Sequence, residues 1–439
     1  MPVSPFISRS NISNRSTRSR RATVGATGLI AAVLFGGVGS AEPASATVSL
    51  VAAGCPQGVA AQGFPIEPLE TKAPDVIRLT AGALPPGVSI TAPGQVLSGD
   101  PSGQGIYQFR LQLDATQADG SVVSSVASCR MTVKAPPTVN RIAGADRYAQ
   151  AIAVSSAGFA ASDLAYVATG ERFADALSAS TVGASRHAPL LLTPKDTVAT
   201  GLVSELKRLG VKNVVVVGGT EAVSEAVAQA LATGSGATVT RIGGVDRFEV
   251  SRALIGDGRF GMPKSTSMFV ATGADFPDAL TAAPAAVQDG SPVLLVNGGA
   301  SALTSVESEF LLDFAVREVT VAGGPVSVSD ALLKDFTVRF AAERLAGDDR
   351  YETGALINHH VFKNATQVFV ASGATFPDAL SGGVSAGVGH SPLYVTTPEC
   401  LSPAVWSEIG RLAPTPGTVL GGTSALSPTI DTLEPCALD

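Results

Sequence analysis

A stretch of eight residues occurs three times in this chain, and its spacing limits the chain to a tandem array of domains. The copies read RIAGADRY at Arg141–Tyr148, RIGGVDRF at Arg241–Phe248 and RLAGDDRY at Arg344–Tyr351. Successive copies lie roughly 100 residues apart, which is too long for a solenoid unit and long enough for a separate hydrophobic core.

Three further landmarks follow each copy in the same order. The first is a segment with the pattern A-[TS]-G-x-x-F-x-D-A-L, the second is a short apolar run after a proline, and the third is a glycine pair. The phenylalanines of the first landmark are Phe173, Phe276 and Phe376, and the glycine pairs are Gly218–Gly219, Gly323–Gly324 and Gly421–Gly422. Four landmarks in one order, three times over, indicate a triplicated domain.

Each copy alternates short apolar runs with helical patterns. In the first copy, strands are predicted at 138–142, 165–169, 190–193 and 211–217, and helices at 146–156, 174–184, 198–209 and 221–231. Runs that are apolar at every position are typical of parallel strands buried on both faces. Alternating strands and helices predict right-handed crossovers and a layered α/β domain, so each repeat is expected to be a small Rossmann-like unit.

The combination of motifs resembles the bacterial cell wall binding repeat 2 family, over about residues 138–435. The family pattern has R-x-x-G-x-x-R-Y, then A-T-G-x-x-F-P-D-A-L, a P-I-L-L-like strand and a later G-G-T turn; this chain departs from it at Ala174, Phe248 and Pro325. The resemblance implies three domains packed around a pseudo-threefold axis and an anionic wall polymer as ligand. We predict cell-wall-binding repeats at 137–239, 240–340 and 341–439.

The segment 47–136 is predicted to be all-β, because apolar side chains alternate with polar ones at Tyr107, Phe109, Leu111 and Leu113. Its phrases LPPGVS, VLSGDP and GIYQF resemble bacterial Ig-like, cadherin-related sandwich domains. Such a domain is usually a spacer or a binding module, and the sequence does not name an external partner.

The first 46 residues have the features of a cleaved signal peptide. A segment with five arginines precedes an apolar stretch at 22–38 and an A-x-A site at Ala44–Ala46. A membrane anchor is the alternative, but the stretch is shorter than the roughly 20 apolar residues of a span, so no stable membrane span is expected after cleavage. Ser19–Arg21 hints at twin-arginine export, which we consider the less favoured route.

The mature protein is expected to be acidic, exported and associated with the cell wall. Removal of the leader takes away five arginines and one glutamate, which changes the net charge from −7 to −11. Such a protein is a poor non-specific binder of nucleic acid. Export favours oxidised cysteines, and the domain division selects the pairs Cys55–Cys129 and Cys400–Cys436 from the three possible pairings. No metal site or cofactor is predicted, since the spacings typical of zinc ligands do not occur.

Arginines and glycine pairs are the candidate binding residues. Guanidinium groups hold phosphate or carboxylate as a fork, and a glycine turn before a helix presents backbone N–H groups to an anion. The alternative is that these arginines clamp one repeat to the next through Arg–Asp pairs; we favour this slightly for each arginine taken singly, and both interpretations stay open for the set. The candidates are Arg141, Arg147, Arg241, Arg247, Arg344, Arg350, Gly218, Gly219, Gly323, Gly324, Gly421 and Gly422.

Catalysis is not predicted. The G-x-S-x-G match at Gly383–Gly387 places Ser385 late in a predicted helix, whereas a nucleophile elbow requires a serine between strand and helix. The sequence therefore predicts a secreted surface protein that binds the cell wall non-covalently through three repeats. The alternatives are a wall hydrolase of the amidase or glycosidase class, and an adhesin or surface-layer component acting through the Ig-like module.

Overall fold

A computed structural model describes residues 55, 59–71, 74–91, 96–117, 119–414 and 416–437. These residues belong to one compact unit, Val48–Asp439. The predicted signal peptide at 1–46 lies outside the described residues, so its prediction is not tested by the structure.

The N-terminal part contains two β-sheets around a separate apolar core. Its strands are β1 (Val59–Ala61), β2 (Leu69–Glu70), β3 (Val76–Gly82), β4 (Val88–Thr91), β5 (Val96–Gly99), β6 (Gly105–Thr116) and β7 (Val122–Lys134). One sheet has the order β1-β7-β6-β3 and the other β2-β5-β4. Alternate residues of β6, Phe109, Leu111 and Leu113, are buried against Met131 and other core residues, as the alternation predicts.

The three repeats contain parallel strands that alternate with helices. The strands are β8 (Val139–Ile142), β9 (Leu164–Thr169), β10 (Leu190–Thr193), β11 (Asn213–Val217), β12 (Thr238–Ile242), β13 (Ser267–Thr272), β14 (Val293–Val296), β15 (Glu318–Ala322), β16 (Ala341–Leu345), β17 (Val368–Ser372), β18 (Leu393–Thr396) and β19 (Gly417–Leu420). The predicted α/β class of the repeats is thus confirmed.

Helices connect these strands in each repeat. They are α1 (Arg147–Gly158), α2 (Ala174–Ser185), α3 (Leu202–Leu209), α4 (Glu225–Ser235), α5 (Arg247–Gly256), α6 (Pro277–Gln288), α7 (Ser305–Asp313), α8 (Asp330–Arg339), α9 (Arg350–Val361), α10 (Pro377–Val388) and α11 (Pro403–Leu412), followed by a 3-10 helix at Pro428–Thr432.

Two helices of the first repeat begin later than the sequence predicts. The helix expected at 198–209 begins at Leu202, because Gly201 has a left-handed φ of 85° that the helix cannot include. The helix expected at 221–231 begins at Glu225, since the Ser224 side chain caps it by accepting from the Val227 N–H. In both cases a residue that favours a helix terminus overrides the apolar pattern.

The strand that opens each repeat pairs with the sheet of a different repeat. The three sheets have the orders β10-β9-β11-β12, β14-β13-β15-β16 and β18-β17-β19-β8. Thus β12 and β16 each complete the sheet of the preceding repeat, and β8 completes the sheet of the third repeat by pairing in parallel with β19. The exchange of strands among the three repeats is therefore cyclic.

The helices α2, α6 and α10 pack against one another where the three repeats meet. Small residues permit this close approach. A Cβ atom added at Gly387 of α10 would lie 2.7 Å from the Ala184 Cβ of α2, a distance that real Cβ atoms do not tolerate. Glycine and alanine residues in these helices therefore allow the three helix backbones to pack closely together.

The β-sheet part is attached to the third repeat. The Phe64 ring packs against Trp406 of α11 with 5.7 Å between ring centroids. Two disulfides are present, Cys55–Cys129 within the β-sheet part and Cys400–Cys436 within the third repeat. Among the described helices, the structure contains none long and apolar enough to cross a membrane.

Candidate functional site

The aspartate of each R-x-x-G-x-D-R motif caps the helix that follows it. Asp146, Asp246 and Asp349 occupy the N-cap positions of α1, α5 and α9, and each carboxylate accepts from the N–H groups two and three residues ahead. These bonds satisfy donors that a helix leaves free at its start. The next residue in each motif is an arginine, the first residue of the helix.

The second arginine of each R-x-x-G-x-D-R motif donates a hydrogen bond to a glycine of its own repeat, the one that directly follows a strand. Arg147, Arg247 and Arg350 donate Nη1 to the carbonyl oxygens of Gly170, Gly273 and Gly373, at 2.5, 2.5 and 2.8 Å. The aromatic residue after each arginine packs on the same glycine, where an added Cβ would lie 2.5 to 2.7 Å from the ring. The first and second sequence landmarks are thus joined by direct contacts.

The phenylalanines of the three repeats meet in one cluster. Phe173, Phe276 and Phe376 form a triangle with ring centroids 5.7 to 5.9 Å apart, and every pair is arranged edge to face. Aromatic rings prefer this geometry because the positive edge of one faces the negative face of another. Each repeat contributes one ring, so the cluster exists only in the assembled array.

Each second arginine also reaches the phenylalanine of the neighbouring repeat. The guanidinium carbons of Arg147, Arg247 and Arg350 lie 5.7, 5.7 and 5.8 Å from the ring centroids of Phe376, Phe173 and Phe276, within cation–π range. One N–H of five on each guanidinium is bonded to a glycine carbonyl, and Arg147 and Arg247 are exposed. These arginines therefore link repeats while keeping donors that face solvent.

The first arginine of each motif is more fully bound. Its Nη1 donates to the carbonyl of the first glycine of a glycine pair; the donor–acceptor pairs are Arg141 to Gly421, Arg241 to Gly218 and Arg344 to Gly323. Each also forms an ion pair with a carboxylate, Asp431, Glu225 or Asp330, and the arginine side chains are only 15%, 21% and 14% exposed. These contacts join neighbouring repeats, as the clamp interpretation requires.

The aspartate of each F-x-D-A-L segment lies against the glycine pair of its own repeat. Gly218, Gly323 and Gly421 have φ values of 104°, 113° and 106°, which favour glycine. A Cβ at these positions would lie 2.3 to 2.4 Å from the Oδ2 atoms of Asp175, Asp278 and Asp378, so the carboxylates fill the space that a side chain would occupy. The glycine pair is therefore required both by backbone conformation and by this packing.

The three packed carboxyl groups are shifted towards their neutral form. Burial raises the pKa of Asp175 although Arg172 and Arg247 oppose the shift, and burial likewise raises the pKa of Asp278 against the Ser327 hydroxyl and Arg350. Burial raises the pKa of Asp378 to about 6, with Arg147 of the first repeat opposing it. In each repeat, one of the groups that oppose the rise in pKa is the second arginine of another repeat: Arg247 for Asp175, Arg350 for Asp278 and Arg147 for Asp378. Each of these arginines therefore lies near the aspartate of another repeat.

We use the name junction for the region where the glycine pair of one repeat meets the D-R dipeptide of the next. The first junction contains a cavity of about 480 Å³ at the carboxyl ends of the strands. This is the edge of an open α/β sheet at which ligands usually bind. The lining combines the first and second repeats: Arg172, Ala174, Asp175, Gly219, Thr220, Glu221, Ala222, Gly244, Val245, Asp246, Arg247 and Val250.

The structure thus brings part of the sequence-predicted set together. Arg247 and Gly219 line the same cavity, whereas Arg241 lies beneath the glycine pair and bonds its carbonyl. Sequence reasoning missed Arg172 and Asp175 as members of the site. The signal for Arg172 was present in the repeat alignment, because Asp275 and Thr375 stand at the matching positions and only the first repeat has a cation there.

A catalytic arrangement does not emerge from the described part of the chain. Ser385 lies inside α10, and its hydroxyl is buried without a hydrogen-bond partner, unlike a serine exposed on a strand-to-helix turn. Within the same residues, no group of three or more His, Cys, Asp or Glu side chains is placed to hold a metal ion.

Comparison with known proteins gives one family and several distant relatives. N-acetylmuramoyl-L-alanine amidase LytC of Bacillus subtilis (strain 168) is 28% identical over 296 residues, which cover 67% of this chain and 58% of that protein. The Amidase enhancer of the same organism is 26% identical, over 66% of this chain and 39% of that protein. The chain thus spans less than two thirds of the length of either relative.

Two solved structures share the fold. Cwp6 from Clostridium difficile has a TM-score of 0.62 at 19% identity, over 86% of this chain and 67% of that protein. Cwp8 from Clostridium difficile has a TM-score of 0.60 at 21% identity, over 74% of this chain and 58% of that protein. At these identities the likeness concerns the fold alone.

The family comparison matches the repeats one by one. Cell wall binding domain 2 (CWB2) matches residues 141–228, 241–333 and 344–431. Each matched segment begins at the first arginine of an R-x-x-G-x-D-R motif and includes the F-x-D-A-L segment and the glycine pair. The chain therefore belongs to the Cell wall binding domain 2 (CWB2) family, with three copies of the domain.

Proposed function

We propose that this protein is secreted and binds an anionic polymer of the bacterial cell wall non-covalently through the junctions of its three repeats. In this proposal the leader 1–46 is removed, the repeats are arranged about a pseudo-threefold axis, and the N-terminal β-sheet part is an Ig-like spacer. Membership of a cell-wall-binding family supports the partner class. The cyclic contacts among the repeats support the arrangement.

The observation that carries the proposal is the state of the second arginines. Arg147, Arg247 and Arg350 each retain donors beyond the single glycine carbonyl that they bind, and they stand beside glycine pairs in a protein that is acidic as a whole. Donors fixed in position by a carbonyl and an aromatic ring are pre-organised for phosphate or carboxylate. The first arginines, which are held by carboxylates, serve the assembly of the array instead.

A wall hydrolase is the second candidate, because a relative over two thirds of this chain is named as an amidase. That match is consistent with a shared binding region, since the alignment covers only 58% of the relative and its 296 residues are close in number to the segment 141–431 that contains the three domain matches. The proposal therefore assigns binding rather than catalysis to these repeats.

The test is a pull-down of the mature protein on purified Gram-positive walls before and after chemical removal of the anionic polymers, with increasing salt. Binding is expected to be lost on stripped walls and to weaken with salt, because exposed charge contacts are screened. The triple variant Arg147→Gln, Arg247→Gln and Arg350→Gln should bind less than the wild type.

A matched control removes the same charge from exposed arginines elsewhere: Arg110→Gln, Arg130→Gln and Arg317→Gln. This control is expected to bind like the wild type. Because the second arginines also contact the phenylalanine cluster, melting is recorded for both triple variants, and binding is compared well below their melting temperatures. Equal binding to intact and stripped walls would refute the proposal. Reduced binding of the control alone would refute the assignment to the second arginines, and the single variants would then separate Arg110 and Arg130 of the β-sheet part from Arg317 of the second repeat.

A further inference from the structure

The three junctions share one backbone plan but differ in charge. The residue before the clustered phenylalanine is Arg172 in the first repeat, Asp275 in the second and Thr375 in the third. The residue before the capping aspartate also varies; the next repeat supplies Val245 at the first junction and Asp348 at the second. An anionic ligand would therefore meet three different environments.

The second junction is unfavourable for an anion. The Arg350 guanidinium lies 3.8 Å from the Asp275 carboxylate, so its charge is already partly compensated. Asp275 also acts on its neighbour, because its negative charge helps to raise the pKa of Asp278, after burial. Asp348 stands where the first junction has Val245 and adds a further carboxylate next to the capping aspartate, and like charges repel an anion.

The first junction differs in having two guanidinium groups, which share the cavity lining with the carboxylates of Asp175, Glu221 and Asp246. Arg172 and Arg247 both line the cavity of about 480 Å³, and both oppose the raised pKa of Asp175 from there. The Arg172 Nη2 atom donates to the Glu221 backbone oxygen at 2.7 Å, which fixes the guanidinium at the cavity wall. The Glu221 carboxylate is itself held by Lys195 at 2.8 Å and is not an uncompensated charge. The third junction offers Arg147 but has Thr375 in place of the second guanidinium.

We propose that the first junction is the principal oxyanion site of the array, and that Arg172 together with Arg247 grips one phosphate or carboxylate group of the ligand. This inference rests on the proposed function and adds that the three junctions are unequal. Arg172 is then the specificity-determining residue, because neither of the other two junctions has a cation at the matching position. Two guanidinium forks on one oxyanion provide more charge-assisted hydrogen bonds than a single fork.

The test measures binding of two labelled probes, a glycerol phosphate oligomer and a galacturonate oligomer, by fluorescence anisotropy and by calorimetry for stoichiometry. The probes separate a phosphate source from a carboxylate source of the same oxyanion chemistry. Wild type should bind one of them with a stoichiometry near one per chain. Arg172→Gln should weaken that binding roughly tenfold, as expected for loss of hydrogen bonds to a charged group.

The matched control is Arg317→Gln, which removes one exposed arginine at the amino end of β15, away from every junction. It should leave affinity unchanged, and both variants should melt like the wild type because Arg172 and Arg317 are exposed. As a gain-of-function arm, Asp275→Arg should add a second binding event at the second junction.

Equal affinities of Arg172→Gln and Arg317→Gln, or three equivalent sites in the wild type, would overturn the inference while leaving wall binding intact. If the wild type binds neither probe nor polymer-bearing walls, the proposed function fails and this inference fails with it. If walls bind in a polymer-dependent way but neither oligomer does, the oxyanion assignment of the first junction is wrong.

Discussion

The Asp378 carboxyl group allows a direct measurement of the free energy that burial of an ionised carboxylate at a junction costs. Its side chain packs against Gly421, and burial raises its pKa from 3.8 to about 6 in spite of the nearby Arg147. Replacement Asp378→Asn keeps the shape of the side chain and makes its neutral state permanent. We therefore expect this variant to be more stable than the wild type at neutral and alkaline pH.

The magnitude follows from the shift of about two pKa units, at 1.36 kcal/mol for each unit, which gives roughly 3 kcal/mol. The folded state holds the Asp378 proton more tightly than the unfolded state. The wild type should thus lose this stability as pH rises from about 4 to about 6, with the full loss present above that range. The variant should be stabilised by about this amount near pH 8 and by almost nothing near pH 4.

The assay is urea unfolding of wild type and variant across that pH range, with the difference in unfolding free energy plotted against pH. Other titrating groups cancel in the difference, provided that they do not couple to Asp378. The control Asp163→Asn removes a carboxylate that is 73% exposed and should give a flat, near-zero difference. A flat difference for Asp378→Asn would show that folding does not shift the pKa of Asp378, and destabilisation at pH 8 would show that the ionised carboxylate is stabilised in the fold; either result would refute the reasoning.

Three more expectations concern the stability of the array. Phe276→Ala should lower the unfolding free energy by roughly 3 kcal/mol, since it removes one ring of the central triangle, and an unchanged melting temperature would contradict this. Glu408→Gln should cost about 3 kcal/mol in urea unfolding by leaving Arg411 without its buried partner at 2.7 Å; a cost below that of an exposed pair would refute it. Removal of the Cys400–Cys436 disulfide, a sequence separation of 36, by Cys400→Ser with Cys436→Ser should cost roughly 3 kcal/mol, and calorimetry of this variant beside the wild type tests it.

Local features of this fold could be predicted from the sequence because their partners are close in the chain. A carboxylate at a helix start caps that helix wherever the helix lies, and the sequence predicts a helix that begins at Asp146, the residue that caps α1. The parallel strands were equally accessible, since runs such as Val214–Val217 are apolar at every position. The helix start and the buried strands can both be inferred from residues that are close together in the sequence.

Contacts between repeats could not be derived in this way. The alignment shows that Phe173, Phe276 and Phe376 recur, but a recurrent phenylalanine is equally compatible with three separate cores. That the three rings touch depends on how the repeats pack. The two roles of the motif arginines were likewise left open, because the distinction depends on partners such as Asp431, 290 residues away from Arg141 in the chain.

The strand exchange explains why the junctions depend on the complete array. Each repeat gives its opening strand to another sheet, and each second arginine reaches the phenylalanine of another repeat. A single excised repeat would lack one edge strand of its sheet and half of every junction lining. Three repeats in an open row would form only two junctions. The pairing of β8 with β19 brings the first and third repeats together and forms the third junction. Divergence of residues such as Arg172 then changes one junction without disturbing the contacts that close the other two.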